Sequence, residues 1–202
     1  LSDHWPAYWI AHPEASGVEY GVFHFRKTFE LPEQPGKIIV HVSADNRYRL
    51  FVNGQPVCFG PARGDLPHWF FETVDLAPWL NPGINSIAAV VWNFGTHKPW
   101  AQFSLRPAFI LQGNSPAEAL INTDTSWKVI LNRAYTPAPA GAQETQGQFT
   151  VVGPCDRVNG ALYPWGWQET SFHDREWQNA LTLDNGHPRG IGTDLTREQR
   201  SS

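Results

Sequence analysis

The chain has 202 residues, of which 41% are hydrophobic and 13% aromatic, so it carries enough apolar material for one sizeable core and is not expected to be disordered. The formal net charge of −4 at pH 7 argues against a nucleic-acid partner, which needs a clustered basic face. No run of about 18 apolar residues occurs, so no membrane span is predicted. With 17% charged residues, 17 glycines and 17 prolines, the composition favours many short strands joined by turns.

The first predicted strands show alternating apolar and polar residues. VFHFRKTFEL places Phe23, Phe25 and Phe29 on one face of a strand, and Lys27 interrupts that face. KIIVHVSA, at about 37–44, is predicted to be the next strand.

RYRLFVNGQPVCFG predicts a β-hairpin. Tyr48, Leu50 and Val52 share one face of its first strand. Asn53 and Gly54 supply the residues that accept positive φ angles, and Asn-Gly is the strongest short-range hairpin pattern.

Further strands are predicted at WFFETVDL, INSIAAVVWNFG and AQFSLRPAFILQG. The second of these is almost continuously apolar, which is typical of a strand in the middle of a sheet. Shorter strands are predicted at about 119–122 and 127–131, followed by a Pro/Ala/Gly-rich loop at 134–148. The segments 149–166 and 167–181 are expected to return the chain to an edge of the fold.

These patterns together predict an all-β fold, an antiparallel β-sandwich with alternate residues turned inwards. No internal repeat is visible, which disfavours a propeller or a solenoid. We predict a sandwich module over residues 1–183 and a polar C-terminal linker stub over 184–202. Because the chain begins at Leu1 without a visible signal peptide, we interpret it as a mature or trimmed segment.

The two cysteines, Cys58 and Cys155, lie far apart in the sequence. They could form one disulfide in an oxidising compartment or remain as two buried thiols. The absence of a CxxC motif or a Cys/His cluster makes a structural zinc site improbable.

Three stretches in order resemble a known family: SADNRYRLFVNG (43–54), GPARGDLPHWFFETVDLAPWLNPGIN (60–85) and IAAVVWNFG (87–95). They are similar to the N-terminal galactose-binding-like jelly-roll modules of bacterial α-L-rhamnosidases and related glycoside hydrolases. TSWKVILNRAY and WGWQETSFHDREWQNA resemble the closing strands of those modules, so the similarity covers roughly residues 5–190. The resemblance implies a jelly-roll fold and a secreted, periplasmic or cell-surface location.

The resemblance also implies a supporting role for this chain. In such enzymes the catalytic carboxylates lie on a separate helical barrel, which would be the adjacent catalytic domain of the same chain. Some of the modules bind L-rhamnose together with a calcium ion, so an L-rhamnose-containing glycan and calcium are the expected ligands. In those modules an acidic residue and its neighbours bridge sugar and ion, and Asp45 and Asn46 are the candidate metal ligands here.

A sugar site needs an aromatic ring to stack on the sugar and planar polar groups to bind its hydroxyls. Asn93, His97 and Trp100 follow the long apolar strand and combine an amide, an imidazole and an indole, so they are the preferred sugar contacts. The alternative is that they are ordinary polar groups of a loop. Six of the ten tryptophans stand beside loops or strand ends, and most of these are expected in the core or at a module interface: Trp69, Trp79, Trp92, Trp100, Trp165 and Trp167.

The GPARGDLPHW loop offers a second set of sugar contacts. Arg63 and Asp65 could grip neighbouring hydroxyls, with His68 and Trp69 beside them. The alternative is an internal Arg–Asp pair that holds the loop.

Arg47 and Arg49 have the opposite parity to Tyr48 and Leu50, so they are expected to face solvent or a cleft. A solvated strand face explains them without any ligand.

Three functions remain open from the sequence. The first is a non-catalytic carbohydrate-binding or domain-docking module of an α-L-rhamnosidase-like hydrolase. The second is a purely structural module that braces a catalytic domain. The third is a small stand-alone glycosidase, which needs two carboxyl groups across a cleft, for example Asp65 with Glu72 or with Asp45.

Overall fold

The computed structural model describes residues 5–138 and 154–186, and within them thirteen strands and three short 3₁₀ turns. The strands are β1 (Tyr8–Ala11), β2 (Gly21–Leu31), β3 (Ile39–Asp45), β4 (Arg47–Val52), β5 (Gln55–Gly60), β6 (Glu72–Asp75), β7 (Gly83–Asn93), β8 (Ala108–Gly113), β9 (Lys128–Leu131), β10 (Tyr135–Ala138), β11 (Cys155–Val158), β12 (Gln178–Asn179) and β13 (Leu181–Asn185). The 3₁₀ turns span Ala77–Trp79, Gly95–His97 and Pro116–Ile121. No helix in the described part of the chain has the length and apolar character needed to cross a membrane.

Most strands belong to two antiparallel sheets. The five-stranded sheet has the order β13-β1-β8-β3-β6, and the six-stranded sheet has the order β12-β9-β2-β7-β4-β5. Strands β10 and β11 pair with each other as a separate ribbon. The predicted all-β antiparallel sandwich is confirmed, while its finer jelly-roll assignment stays a prediction.

The core between the two sheets is built from alternate residues of the strands, as the patterning predicts. Phe25 of β2 stacks on Phe109 of β8, with ring centroids 5.5 Å apart. Trp127 is fully buried beside them and donates its Nε1 hydrogen to the carbonyl of Asn122 at 3.0 Å. Each fully buried large apolar side chain of this kind contributes roughly 1.5–3 kcal/mol, so the inward face of the strands supplies most of the driving force for folding.

The predicted hairpin joins β4 to β5. Asn53 and Gly54 have φ angles of 49° and 80°, the left-handed conformation that a two-residue hairpin turn requires. Tyr48, Leu50 and Val52 are buried in the core, so this prediction is confirmed.

The outer face of the six-stranded sheet is partly covered by a third layer, which we call the covering segment (159–177). Trp167 and Trp177 from this segment pack on Val22 and Val90. Strand β7 lies between β2 and β4, and the third layer explains why it is apolar on both faces. The sequence indicated the position of β7 but not the layer that covers it.

Buried Arg26 of β2 anchors the covering segment. Its Nη1 donates hydrogen bonds to the carbonyls of Trp167 and Glu169 at 2.9 and 3.0 Å, and its Nε lies 2.7 Å from a carboxylate oxygen of Asp174. Desolvation lowers the pKa of Arg26, and the charge of Asp174 opposes that effect. One buried cation therefore holds the middle and the C-terminal part of the layer to the sheet.

Two secondary-structure predictions are wrong. The segment around 119–122 is not a strand, because it lies in the 3₁₀ turn Pro116–Ile121, which begins with a capping box. Ser115 accepts a hydrogen bond from the backbone of Ala117, and Glu118 accepts one from the backbone of Ser115. The predicted loop at 134–148 begins with strand β10, and its residues from 139 onwards lie outside the described residues.

The last strands occupy the edges of the sandwich. β12 is the edge of the six-stranded sheet and β13 is an edge of the five-stranded sheet, so the predicted return of 167–181 to the sandwich edge is confirmed. β13 extends to Asn185, which pairs with Tyr8 of β1, so the first two residues of the predicted linker stub belong to a strand of the sandwich. Residues 187–202 lie outside the described residues, and the division at 183 stays a prediction.

Cys58 and Cys155 are both free thiols. Cys58 is half-buried, with its sulfur 3.7 Å from the hydroxyl of Tyr48, and burial raises the pKa of its thiol. Cys155 is exposed on β11. Of the two alternatives, the structure therefore has free thiols, but only Cys58 is even partly buried.

Candidate functional site

Three predicted site residues meet in a network that we call the buried junction (Asp45, Asn46 and Asn93). All three side chains are at most 1% exposed. Asn93 Nδ2 donates to the carbonyl and a carboxylate oxygen of Asp45, both at 3.3 Å, and its Oδ1 accepts from Gly95 N at 2.9 Å. Asn46 Oδ1 accepts from Phe94 N at 2.7 Å. These amides hold the ends of β4 and β7 together and present no polar atom to solvent.

The carboxylate of Asp45 is likewise satisfied from within the protein. Its Oδ2 accepts hydrogen bonds from the backbone of Leu105 and Arg106 at 2.6 and 3.1 Å, and its Oδ1 accepts from Asn46 Nδ2. Burial raises the pKa of Asp45 to about 6, although these donors act in the opposite direction. The junction therefore stabilises the loop before β8.

This donor set does not fit calcium. Calcium takes six to eight oxygen ligands, usually including several carboxylates. Both oxygens of Asp45 already accept N–H groups, and no group of three or more His, Cys, Asp or Glu side chains in the described ranges could hold a metal ion. We therefore derive no role for calcium at Asp45 and Asn46.

His97 and Trp100, the other two preferred sugar contacts, are more exposed to solvent than Asn93. His97 ends the 3₁₀ turn Gly95–His97 and is half-buried, whereas Trp100 is 81% exposed. The structure therefore places an amide inside the protein and an indole on its surface. Asn93, His97 and Trp100 are therefore close in sequence but do not form one common polar site.

The GPARGDLPHW loop contains a local Asp–His hydrogen bond that the sequence did not predict. Asp65 Oδ1 lies 2.7 Å from His68 Nδ1 and accepts a hydrogen bond from His68 N at 2.8 Å. Trp69 is buried and donates its Nε1 hydrogen to Ser43 Oγ at 3.1 Å. The internal pair that holds the loop is therefore Asp65 with His68, not Asp65 with Arg63.

Arg63 lies instead in an open cleft of about 580 Å³, within the size range of small-molecule sites. We call it the arginine cleft, and it lies over the part of the six-stranded sheet that includes β4, β5 and β7. Its functional side chains are Arg47, Arg49, Arg63, Phe59, Trp92 and Asp156.

Strand register places the arginines and aromatic residues of this cleft side by side. Arg47 on β4 is the direct partner of Trp92 on β7, and Arg49 is the direct partner of Phe59 on β5. Directly opposed residues on one face of an antiparallel sheet have Cβ atoms about 5 Å apart. Phe59 is 81% exposed, so its ring is open to a ligand. The outer face therefore carries two neighbouring pairs, each of one guanidinium and one aromatic ring.

The electrostatics of the cleft are strongly positive. Arg47 lies over the ring of Phe94, with its guanidinium carbon 5.6 Å from the ring centroid. Desolvation and the charge of Arg63 both lower the pKa of Arg47, which indicates that the cations are close to each other. Asp156 closes one wall of the cleft, and one of its oxygens accepts a hydrogen bond from the hydroxyl of Tyr20 at 2.5 Å.

A second cleft of about 440 Å³ lies against β9. Glu14, Glu19 and Glu176 contribute carboxylates to it, and Arg133 and Trp177 also line it. None of the residues predicted as site residues lies there. Its acidic lining distinguishes it from the arginine cleft.

The sequence indicated Arg63 as a site residue. For Arg47 and Arg49 it allowed two interpretations, a solvated strand face or a cleft. The alternation of residues along β4 was the pattern that could have identified Arg47 and Arg49 as cleft residues. Phe59, Trp92 and Asp156 were not predicted as partners of these arginines. Their contribution depends on strand pairing and on the position of β11, neither of which the sequence specifies.

The chain has clear structural relatives. The GH78 family rhamnosidase of Bacillus sp. GL1 matches with a TM-score of 0.79 and 25% identity over 92% of this chain and 19% of the rhamnosidase. The Streptomyces avermitilis α-L-rhamnosidase complexed with L-rhamnose matches with a TM-score of 0.59 and 20% identity over 94% of this chain and 16% of that enzyme. The Pleurotus ostreatus lectin in complex with GalNAc matches with a TM-score of 0.53 and 22% identity over 92% of this chain and 44% of the lectin.

The predicted resemblance to a β-sandwich module of α-L-rhamnosidases is confirmed at the level of structure. No protein-family model matches the sequence. No curated protein sequence matches it either. The chain spans about a fifth of the length of the rhamnosidases it matches and less than half of the lectin.

Proposed function

Given this structural similarity, we propose that the chain is a non-catalytic carbohydrate-binding module of a larger α-L-rhamnosidase-like glycoside hydrolase and that the arginine cleft is its sugar site. The observation that carries the proposal is the pairing of Arg47 with Trp92 and of Arg49 with Phe59. A sugar ring can stack on the aromatic faces while the guanidinium groups donate hydrogen bonds to its oxygens. An L-rhamnose-containing glycan is the expected partner, because one matched rhamnosidase is complexed with L-rhamnose.

The chemistry of the cleft supports binding without catalysis. Glycosidases of both stereochemical classes generally use two carboxyl groups on either side of the bond that is cleaved. Among the described residues that line the arginine cleft, Asp156 is the one carboxylate, and it is bonded to Tyr20. Asp65 lies on the loop with His68, and Asp45 lies in the buried junction, so neither completes a pair there. The arginine cleft is therefore proposed as a binding site, and we propose that catalysis belongs to an adjacent domain of the parent protein.

The test is a titration of the folded chain with L-rhamnose, galactose and N-acetylgalactosamine, each with and without calcium. Calorimetry and the intrinsic tryptophan fluorescence of the chain would follow binding. We expect saturable binding that Phe59→Ala and Arg49→Gln each weaken at least about fivefold. Phe70→Ala and Arg133→Gln remove an exposed aromatic ring and an exposed cation outside the cleft, so they are matched controls. Equal losses in the controls, or no saturable binding at all, would contradict the proposal.

A second candidate function is a structural brace for the catalytic domain. It is favoured by Trp165, which is 72% exposed on the covering segment close in sequence to exposed Leu162. An exposed indole beside an aliphatic side chain is typical of a contact surface. Absence of sugar binding in a chain shown to be folded would favour this function.

A further inference from the structure

The arginine cleft contains more positive charge than its own residues neutralise. Three guanidinium groups line it, from Arg47, Arg49 and Arg63, against the single carboxylate of Asp156 among the described lining residues. The ion pairs between described residues join Arg26 to Asp174 and Lys27 to Asp124, and the imidazole of His68 contacts Asp65. None of them includes an arginine of the cleft.

The nearby carboxylates already have other partners. Asp156 accepts the hydroxyl hydrogen of Tyr20 at 2.5 Å. Glu72, the first residue of β6, accepts a hydrogen bond from Ala62 N at 3.3 Å and does not line the cleft. Cations that lie together without a counter-ion repel each other, and this cost is removed when an anion binds between them.

The aromatic neighbours restrict the kind of anion. Trp92 and Phe59 are the cross-strand partners of Arg47 and Arg49, so a sugar ring stacked on either aromatic side chain is within reach of a long arginine side chain. A guanidinium fork binds a carboxylate through two parallel hydrogen bonds, which a neutral hydroxyl cannot accept. A flat apolar face beside a planar cation matches a sugar ring that carries a carboxylate.

Building on the proposed function, we propose that the arginine cleft selects an acidic sugar residue, a uronate, over neutral sugars. In an L-rhamnose-containing glycan the residue held in this cleft would then be the acidic one. Selectivity comes from the carboxylate, because the stacking contact is the same for the neutral ring.

The test uses three ligands of nearly identical shape: methyl galacturonoside, its methyl ester and methyl galactoside. Calorimetry measures affinity, and amide chemical-shift mapping by NMR locates the binding site. We expect the free acid to bind at least about tenfold more tightly than the ester or the galactoside, with shifts at Arg47, Arg49 and Phe59. The preference should decrease as the salt concentration rises, because the cleft is open to solvent.

Variants separate the cleft from general charge. Arg47→Gln and Arg49→Gln should each remove most of the preference for the acid, and Arg133→Gln, which removes the same charge beside the second cleft, should leave it unchanged. Equal binding of acid, ester and galactoside at this cleft would overturn the acidic-sugar inference and leave the proposed function standing. Sulfate or acetate binding as tightly as the uronoside would also overturn it, because the cleft would then hold any anion. Absence of binding by every sugar would refute both proposals.

Discussion

The outer face of the six-stranded sheet has two halves, and its arginines are buried in one half and exposed in the other. Over β2 the covering segment buries Arg26 and supplies two carbonyls and the carboxylate of Asp174. Over β5 and the first part of β4 the described residues leave the same face open, whereas Phe51 near the end of β4 packs on Trp167. Arg47 and Arg49 have aromatic neighbours and form no ion pair with a described residue. A buried cation must be satisfied by the protein, whereas an exposed one can be left for a ligand. The covered half is therefore structural, and the open half is the one that we propose binds a ligand.

The largest effect is expected at the covered half. Arg26→Gln should lower the free energy of unfolding by about 3–5 kcal/mol, because it leaves the carboxylate of Asp174 and two carbonyls without their cation. Urea unfolding followed by circular dichroism measures the change. A loss below about 1 kcal/mol would mean that the covering segment is held by its apolar contacts alone.

A conservative substitution in the buried junction tests whether its buried carboxylate also stabilises the fold. Asp45→Asn should cost about 3 kcal/mol at pH 8, because the new amide hydrogens would face the N–H donors of Leu105 and Arg106 or of the two neighbouring amides. Asp156→Asn makes the same substitution at an exposed site and should cost less than about 1 kcal/mol. Similar losses in the two variants would show that burial does not distinguish these carboxylates.

A buried histidine in the covered half makes the free energy of unfolding depend on pH. His24 is fully buried against Trp167, and desolvation lowers its pKa to about 3. As the pH falls below about 6.5, the unfolded chain takes up a proton on this residue and the folded chain does not, so stability is lost on acidification. Between pH 6.5 and pH 5 this loss amounts to about 2 kcal/mol.

Urea unfolding at several pH values would measure that slope in the wild type and in His24→Gln, which keeps a polar group near Asn132. The variant should lose less stability on acidification. Asp45 contributes in the opposite direction within the same range and is unchanged in both chains, so it does not affect the comparison. Identical slopes would rule out a neutral, buried His24.

The smallest effect on stability is expected in the open half. Arg49→Gln should change the free energy of unfolding by less than about 0.5 kcal/mol, because the guanidinium is exposed and lies over the ring of Phe51 without an ion pair to a described residue. Its sugar affinity should nevertheless fall, as measured by calorimetry. A variant with reduced stability and unchanged affinity would reverse the assignment of the two halves.

Much of the architecture was predictable from local patterns. The spacing of Phe23, Phe25 and Phe29 indicated the inward face of β2, and Asn53-Gly54 located the hairpin. The 3₁₀ turn at Pro116–Ile121 was mistaken for a strand because its short apolar run resembles one. Its capping box, Ser115 with Glu118, was the local pattern that could have corrected this.

The candidate site was less predictable for a physical reason. Alternation along a strand states which side chains share a face, but it does not state what covers that face. Asn93 and Trp100 are close in sequence, yet one is fully buried and the other is 81% exposed. Arg26 and Arg49 both occupy the outer face, and only the path of the covering segment distinguishes them.

The sequence by itself determined the all-β sandwich, the central position of β7, the hairpin and the resemblance to α-L-rhamnosidase modules, because these depend on residue periodicity and turn chemistry over short stretches. The tertiary structure alone decided that Asp45 and Asn46 form an internal junction and that Arg47, Arg49 and Arg63 line a cleft with Asp156. These arrangements depend on chain segments that are distant in sequence, from the hydrogen bond between Leu105 and Asp45 to the one between Tyr20 and Asp156. Contacts of that range leave no periodic pattern in the sequence, and they decide which polar groups remain open to a ligand.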